Sequence, residues 1–368
     1  MAYMTGFKIV DHPRIKPLSF SMDFGDRDFL NLIITGRNGT GKSTLLTALW
    51  NSLLEGASSR LNRTYFKITT NEKEDRLVAF LKDQHLLNYT EQPGQVPNKV
   101  DFVSLGKRRD KISYQFVPFL KHQFLQMLLS KANGDQERST NLERWLQGLS
   151  SDLGSLFEID GLKMRFDSAT YVLTFEEPNG TSYDFSQLSA GFSAVLDMIG
   201  ELIMRINVVG TDRDAMNVTG ITLIDEIDAH LHPRIQEKIL PFLTHMFPRI
   251  QFVVATHSPA VIGSISNATV FDLDRLESCP SKEYIGTPYG QVMTSHFGLE
   301  TDFGDETTTQ LKEAKSLIEK EPLTPQEEKR LWTILQSLRK TQHPMIMQAY
   351  AKQLEKQLAE EGAVDDKN

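Results

Sequence analysis

Two stretches near the N-terminus alternate between apolar and polar positions. Phe7-Lys8-Ile9-Val10 and Leu18-Ser19-Phe20-Ser21-Met22 each place their apolar side chains on one face, as half-buried strands do. Residues 29–34 follow a different rule: a short apolar run with β-branched residues, bounded by a glycine loop. That pattern suits a strand buried on both faces. Directly after the loop, Leu45, Leu46, Leu49, Leu53 and Leu54 recur at helical spacing, which predicts a helix over 43–54. Residues 218–224 and 251–255 read as two further doubly buried strands, with a helix over 233–247 between them. Strand, helix and strand in alternation predict a parallel sheet.

Between residues 55 and 150 the pattern is weaker. Residues 77–87 and 117–131 predict helices, 91–99 a loop and 101–105 a strand. The whole stretch reads as a helical insertion. Strands return over 157–182, where 162–166 and 171–175 flank a short turn and Pro178-Asn179-Gly180-Thr181 makes another. A helix over 190–206 follows. From about residue 290 no strand pattern remains, and 309–318, 325–338 and 344–358 predict amphipathic helices. The expected organisation is an α/β domain over 1–275, with the insertion at about 55–150, and a helical region over 276–368.

Composition narrows the function classes. The chain has 368 residues, with 40 basic against 48 acidic side chains, a net charge of −8. That balance excludes a protein held to nucleic acid over its whole surface by counterion release. A single cysteine, Cys279, excludes an internal disulfide framework and a cysteine-ligated zinc site, and reads as an inert thiol. The first 14 residues carry no apolar core of a secretory signal. The longest apolar stretch, residues 195–209, carries Asp197, Glu201 and Arg205, so no membrane span is expected. A cytoplasmic protein is the expectation.

The strongest chemical signal is Gly36-Arg37-Asn38-Gly39-Thr40-Gly41-Lys42-Ser43, followed by Thr44. It lies between a buried strand and a helix, the context of a phosphate-binding loop. Glycines let backbone N–H groups turn inward around phosphate oxygens, and the helix beginning near Ser43 adds the positive end of its dipole. Lys42 is placed to pair with the β- and γ-phosphates of ATP, and the Ser43 hydroxyl to ligate Mg²⁺. A second signal is Gly220-Ile221-Thr222-Leu223-Ile224-Asp225-Glu226, an apolar strand running into two adjacent carboxylates. Ligands of open α/β sheets gather at such strand ends. Asp225 suits Mg²⁺, and Glu226 suits the general base that polarises water.

Two weaker signals gain weight from their order. Leu188-Ser189-Ala190-Gly191-Phe192 lies between the first two motifs, and Ser189 suits a helix cap. Phe252-Val253-Val254-Ala255-Thr256-His257-Ser258-Pro259 is a buried strand that ends in His257, a candidate γ-phosphate contact.

In this order the four motifs resemble the ABC-type ATPase head over about residues 5–275. Ser189-Ala190-Gly191 matches the family's signature motif, although transporter subunits usually have glycine and glutamine where Ala190 and Phe192 stand. His257 matches the switch histidine. The resemblance implies a P-loop α/β fold with N-terminal antiparallel strands, and two heads meeting head to tail over two ATP molecules. Ser189 and Gly191 of one copy would then face the γ-phosphate held by Lys42 of the other, and Asp228 would sit in the D-loop at that interface.

The run Ile227-Asp228-Ala229-His230-Leu231-His232-Pro233, followed by Thr256-His257-Ser258-Pro259, resembles the soluble branch with RecF, SMC and OLD-type ATPases. The spacing of His230 and His232 suits a strand or loop rather than one helix face, and interface packing is their expected role. No long heptad stretch predicts coiled-coil arms, and the helical tail carries no carboxylate cluster of a nuclease. Compact ATPases with such a tail after Tyr289-Gly290-Gln291 resemble those of Septu, retron-associated and PARIS anti-phage systems. The resemblance implies a multimer that controls a separate nuclease or toxin. The alternative is a RecF-like repair ATPase that clamps DNA, for which Lys107, Arg108, Arg109 and Lys111 are the best support. A glutamine completing the Mg²⁺ shell is expected after the loop, with Gln84, Gln95, Gln115 and Gln123 all open. In the tail, Leu331, Trp332, Ile334, Leu335 and Leu338 mark one apolar face and Met345, Met347, Tyr350, Leu354 and Leu358 another. They read either as packing or as an oligomer or partner surface.

Overall fold

In a computed structural model, the described residues are 3–365 without 11, 13–14, 26–28, 56–65, 71–76, 83–84, 88, 91–92, 98, 107–109, 210–217, 298–302, 321 and 343. The chain divides into two compact units, Met1–Tyr289 and Gly290–Asn368.

The first unit is built on a six-stranded sheet. Its strands, named in chain order, are β3 (Asn31–Thr35), β5 (Leu77–Leu81), β9 (Gly220–Ile224), β10 (Ile250–Ala255), β11 (Ala268–Asp272) and β12 (Glu277–Pro280). They lie in the order β12-β11-β3-β10-β9-β5. All neighbours pair in parallel except β12, which closes one edge antiparallel to β11. Every residue of β3, β9 and β10 is buried, as their largely apolar runs require. Helix α1 (Lys42–Glu55) lays Leu45, Leu46 and Leu49 against this sheet, each fully buried. Such burial contributes about 1.5–3 kcal/mol per side chain.

A second, antiparallel sheet has the order β2-β1-β4, with β1 at Met4–Ile9, β2 at Leu18–Ser21 and β4 at Phe66–Thr70. Gln251 joins it to the central sheet. Fully buried, its amide accepts from Met4 N at 2.8 Å and donates to Met4 O at 3.0 Å and Leu30 O at 2.7 Å. A buried amide is tolerated when its bonds are made in this way. The third sheet, β6 (Lys163–Asp167), β7 (Val172–Glu176) and β8 (Ser182–Asp184), forms two successive antiparallel pairs. Helices α2 (Phe102–Gly106), α3 (Phe116–Ala132) and α4 (Gln136–Phe157) precede it in the chain and α5 (Ala190–Val209) follows it, with α4 packed on β6. Helix α6 (Pro233–Met246) crosses from β9 to β10, and the short α7 (Pro259–Ile262) follows β10.

Several expectations are corrected. Residues 77–81 are a strand, not the start of a helix: five apolar residues are too few to show a period, and pairing with β9 decides the matter. Residues 101–105 are not a strand; Asp101 accepts from Ser104 N at 3.2 Å and caps α2. The stretch read as a helical insertion therefore also supplies β4 to one sheet and β5 to another. Asp197 and Glu201 of the long apolar stretch are buried on α5, and Arg205 is half-buried. Glu201 accepts from Ile112 N and Ser113 N, each at 2.7 Å, and pairs with Arg205 at 2.8 Å. Asp197 accepts from Ser113 Oγ at 2.6 Å and pairs with Lys111 at 2.8 Å.

The second unit is helical: α8 (Tyr289–Ser295, which spans the division), α9 (Asp305–Glu319), α10 (Pro325–Leu338) and α11 (Pro344–Asp365). It has its own core of Leu311, Ala314, Leu331, Ile334, Leu335, Leu338 and Ile346. Trp332 stacks on Tyr350 at 5.1 Å between ring centroids. Helix α10 opens with a capping box between Thr324 and Glu327. Among the described residues no helix is long and apolar enough to cross a membrane.

Candidate functional site

Parallel pairing brings three motifs to one edge of the sheet. Ala255 registers with Ile34, and Val254 with Ile224, so β3, β10 and β9 end together. Gly36, His257 and Asp225 follow the ends of these neighbouring strands, which pair about 5 Å apart across the sheet.

At the end of β3 the chain turns at Gly36 with φ 134°, Gly39 with φ 81° and Gly41 with φ 99°. These values lie where side chains with a Cβ are strained. A Cβ at Gly36 would stand 3.2 Å from Asp274 N, and one at Gly41 3.4 Å from Ile15. The loop closes around its own lysine: Lys42 Nζ donates to Gly36 O at 3.0 Å and Arg37 O at 3.2 Å. Lys42 is buried, while Ser43 and Asn38 are exposed at the mouth. Burial pulls the Lys42 ammonium below the ordinary lysine value. The carboxylates of Asp225, Glu226, Asp228 and Asp272 draw it back, in that order. The Lys42 charge thus interacts with these four carboxylates.

At the end of β9, Asp225 is buried and Glu226 exposed. Asp225 N donates to Leu81 O at 2.9 Å, and Ile227 N to Ala255 O at 3.2 Å, so the turn is pinned to the strand on each side. Between those pins Glu226 adopts φ 49°, a left-handed conformation uncommon for residues with a side chain. Such conformations persist where neighbours enforce them, often at functional sites.

Asp228 follows one turn later. It accepts from Thr256 Oγ1, whose oxygen in turn accepts from Ser258 N at 2.9 Å. Ser258 Oγ donates to Gln236 Oε1 at 2.7 Å, and Gln236 Nε2 returns to Leu231 O at 2.9 Å. His257 stands between Thr256 and Ser258. Burial lowers its pKa first and the Lys42 charge adds to this, against Asp228 and Asp225, so the imidazole is held neutral.

Ser189 and Ala190 are exposed at the start of α5. Ser189 Oγ accepts from Phe192 N at 3.3 Å. A Cβ on Gly191 would approach His230 O to 3.1 Å, so this helix start lies against the turn after Glu226. Phe192 stacks on Phe157 at 4.1 Å and meets Phe175 at 5.1 Å, which explains an aromatic where transporter subunits have glutamine. His232 caps α6 by accepting from Arg234 N at 3.3 Å, and His230 is exposed with φ 64°. Among the described residues no group of three or more His, Cys, Asp or Glu could hold a metal by itself. The Ser43 hydroxyl and the Asp225 carboxylate are hard oxygen donors, the set that suits Mg²⁺ when phosphates complete the shell.

Other expected residues fall elsewhere. Lys111, although exposed, pairs with Asp197 at 2.8 Å and donates to Leu86 O at 3.0 Å. Lys107, Arg108, Arg109 and Gln84 lie outside the described residues. Gln95 is on an exposed loop, and Gln115 and Gln123 lie before and within α3. Cys279 is half-buried and bonded to Tyr284 Oη at 3.4 Å, and burial raises its thiol pKa, as an inert thiol requires. Three contacts of the site were not legible in the motifs. Asp272 accepts from Asp274 N at 2.8 Å and shapes the turn beside Gly36. Arg37 pairs with Asp274 at 2.6 Å on that turn. His85, fully buried, donates from Nε2 to Asp225 O at 2.6 Å.

The fold and site together are those of a P-loop nucleotide-binding protein with its acidic pair two strands from the loop. The chain belongs to the family described as "AAA domain, putative AbiEii toxin, Type IV TA system", matched over residues 50–263. It is similar to the retron Ec83 probable ATPase of Escherichia coli, 31% identical over 162 residues, 43% of this chain and 30% of that one. The retron Vc95 probable ATPase of Vibrio cholerae is 33% identical over 100 residues, 27% of this chain and 20% of that one. The Septu protein PtuA of Bacillus thuringiensis is 28% identical over 283 residues, 66% of this chain and 69% of that one. The chain thus spans less than a third of the two retron ATPases. Among solved structures it is similar to an SMC head bound to the C-winged helix domain of ScpA. That likeness has a TM-score of 0.41 at 13% identity over 76% of this chain and 98% of that one.

Proposed function

We propose that this protein is an ATPase that binds ATP with Mg²⁺ and works as a head-to-tail oligomer controlling a separate nuclease or toxin in anti-phage defence. One observation carries the catalytic reading: Lys42, the Asp225–Glu226 pair and His257 follow three adjacent parallel strand ends and share one electrostatic field. The names of the retron and Septu relatives support the biological setting.

The loop amides between Gly36 and Ser43 and the first turn of α1 receive the phosphates, and Lys42 exchanges its two carbonyl contacts for phosphate oxygens. Ser43 and Asp225 are the residues that would hold Mg²⁺, which neutralises charge on the phosphates when bound. Glu226, presented by its left-handed turn, accepts the proton of the attacking water. Neutral His257 donates a hydrogen bond toward the γ-phosphate. The exposed Ser189, the half-buried Gly191 and the Asp228 turn would meet the nucleotide of a second copy.

Phosphate release tests this reading. The wild-type protein is expected to hydrolyse ATP in Mg²⁺. Glu226→Gln should lose at least about 100-fold in rate while still binding ATP, and Lys42→Ala should lose binding. A wild-type protein without nucleotide hydrolysis, or a Glu226→Gln protein as fast as wild type, overturns it.

A further inference from the structure

Segment 85–87 follows β5 and touches both halves of the proposed machinery. His85 Nε2 lies 2.6 Å from the backbone oxygen of Asp225. A carbonyl only accepts, so this nitrogen carries the proton. The other ring nitrogen, Nδ1, is buried without a hydrogen-bond partner. Such an arrangement costs stability, and its retention calls for a role. The next two residues reach the opposite way. Lys111 Nζ donates to Leu86 O at 3.0 Å and pairs with Asp197 on α5 at 2.8 Å. Leu87 N donates to Ser193 Oγ at 3.0 Å, in the first turn of α5. Three consecutive residues thus bind the end of β9 to the helix that Ser189 caps.

We infer that His85 is a positioning residue for hydrolysis: its Nε2–H fixes the Asp225 carbonyl, hence the turn that presents Glu226, and segment 85–87 ties that turn to the start of α5. Asp225 N is held by Leu81 O and Ile227 N by Ala255 O. The Asp225 carbonyl, on the peptide leading into Glu226, is held by His85. Without it the peptide can rotate and carry the Glu226 side chain with it. The geometry also places this subunit's own base and the face it would offer a partner's nucleotide on one short strap.

The inference rests on the ATPase reading, and the experiment separates the two. His85→Leu removes the donor, and His85→Gln restores an N–H at similar reach. Three quantities are measured on wild type and both variants: steady-state hydrolysis, ATP affinity, and amide exchange of the nucleotide-free protein over residues 220–229 and 189–197. The expected result for His85→Leu is a kcat lower by about 10- to 100-fold, with affinity changed less than about threefold and faster exchange in both segments. His85→Gln should recover kcat to within about threefold. Unchanged kcat and exchange in His85→Leu overturn the inference, as does an equal loss of kcat in His85→Gln. Should His85→Leu not fold, His85→Asn replaces it, since its amide is too short to reach the carbonyl; parity of Asn and Gln variants is then the refuting result. Wild type without hydrolysis instead sinks the ATPase reading, while the exchange comparison still reports on His85.

Discussion

Thr256 donates its hydroxyl proton to Oδ1 of Asp228 at 2.5 Å, so the residue before His257 holds the turn that follows Glu226. Thr256 Oγ1 itself accepts from Ser258 N at 2.9 Å, which places His257 on a closed hydrogen-bonded loop. A bond to a carboxylate is worth about 1.5–3 kcal/mol. Thr256→Val is expected to lower unfolding stability by about 1–3 kcal/mol and to slow hydrolysis, whereas Thr256→Ser should retain most of both. Urea unfolding with phosphate release checks this. A Val variant indistinguishable from wild type contradicts the network.

Two glycines should respond differently to alanine. A Cβ on Gly220 would lie 2.5 Å from Leu77 O and 2.6 Å from Leu77 Cβ, inside the β5–β9 ladder where the backbone cannot step aside. A Cβ on Gly39 would meet nothing within 4 Å, and only its φ of 81° opposes substitution. Gly220→Ala is expected to cost about 3 kcal/mol or more, and Gly39→Ala about 1–2 kcal/mol. Denaturant midpoints decide, and the reverse order would contradict the packing.

Acid sensitivity should trace in part to His122. Burial lowers its pKa from the ordinary 6.5, with Lys99 and Arg138 adding to this against a hydrogen bond with the backbone of Pro97. Its Nδ1 is buried without a partner. As pH falls through 6.5 the unfolded chain takes up the proton before the folded one, so stability is lost toward acid. Melting temperature should therefore drop from about pH 7.5 to about pH 5.5, and His122→Asn should drop less. Equal drops would place the acid sensitivity elsewhere.

Leu335 is fully buried in the core of the helical unit. Leu335→Ala is expected to cost about 2–5 kcal/mol within that unit. Amide exchange should quicken over residues 305–346 and stay unchanged over β9 and β10. A uniform rise across the chain would mean that the unit lacks a core of its own.

Much of this site was readable because its chemistry needs rigid local patterns. A glycine-rich loop between a doubly buried strand and a leucine-faced helix has few other readings, and Gly36 to Ser43 lie where that pattern puts them. The acidic pair was legible because β9 is largely apolar until Asp225. The ladder partners of Leu77–Leu81 were not legible, since the short apolar run has no visible period and pairing with β9 alone makes it a strand. β11 and β12 escaped for a related reason: Ala268–Asp272 and Glu277–Pro280 are short, and sheet neighbours define them. His85 carries no motif at all, because its role depends on β5 and β9 lying side by side. Phe192, a departure from the transporter pattern, is explained by the stack on Phe157.

The most direct test of the central claim is the mass in solution of the Glu226→Gln protein, in Mg²⁺ with and without ATP. The carboxamide should keep nucleotide binding while stopping hydrolysis, so the closed assembly should accumulate. The expected result is a mass that rises to a multiple of the single chain with ATP, and does not rise when Lys42→Ala is added. A mass indifferent to ATP, or one that rises equally without Lys42, contradicts an ATPase completed by a second copy.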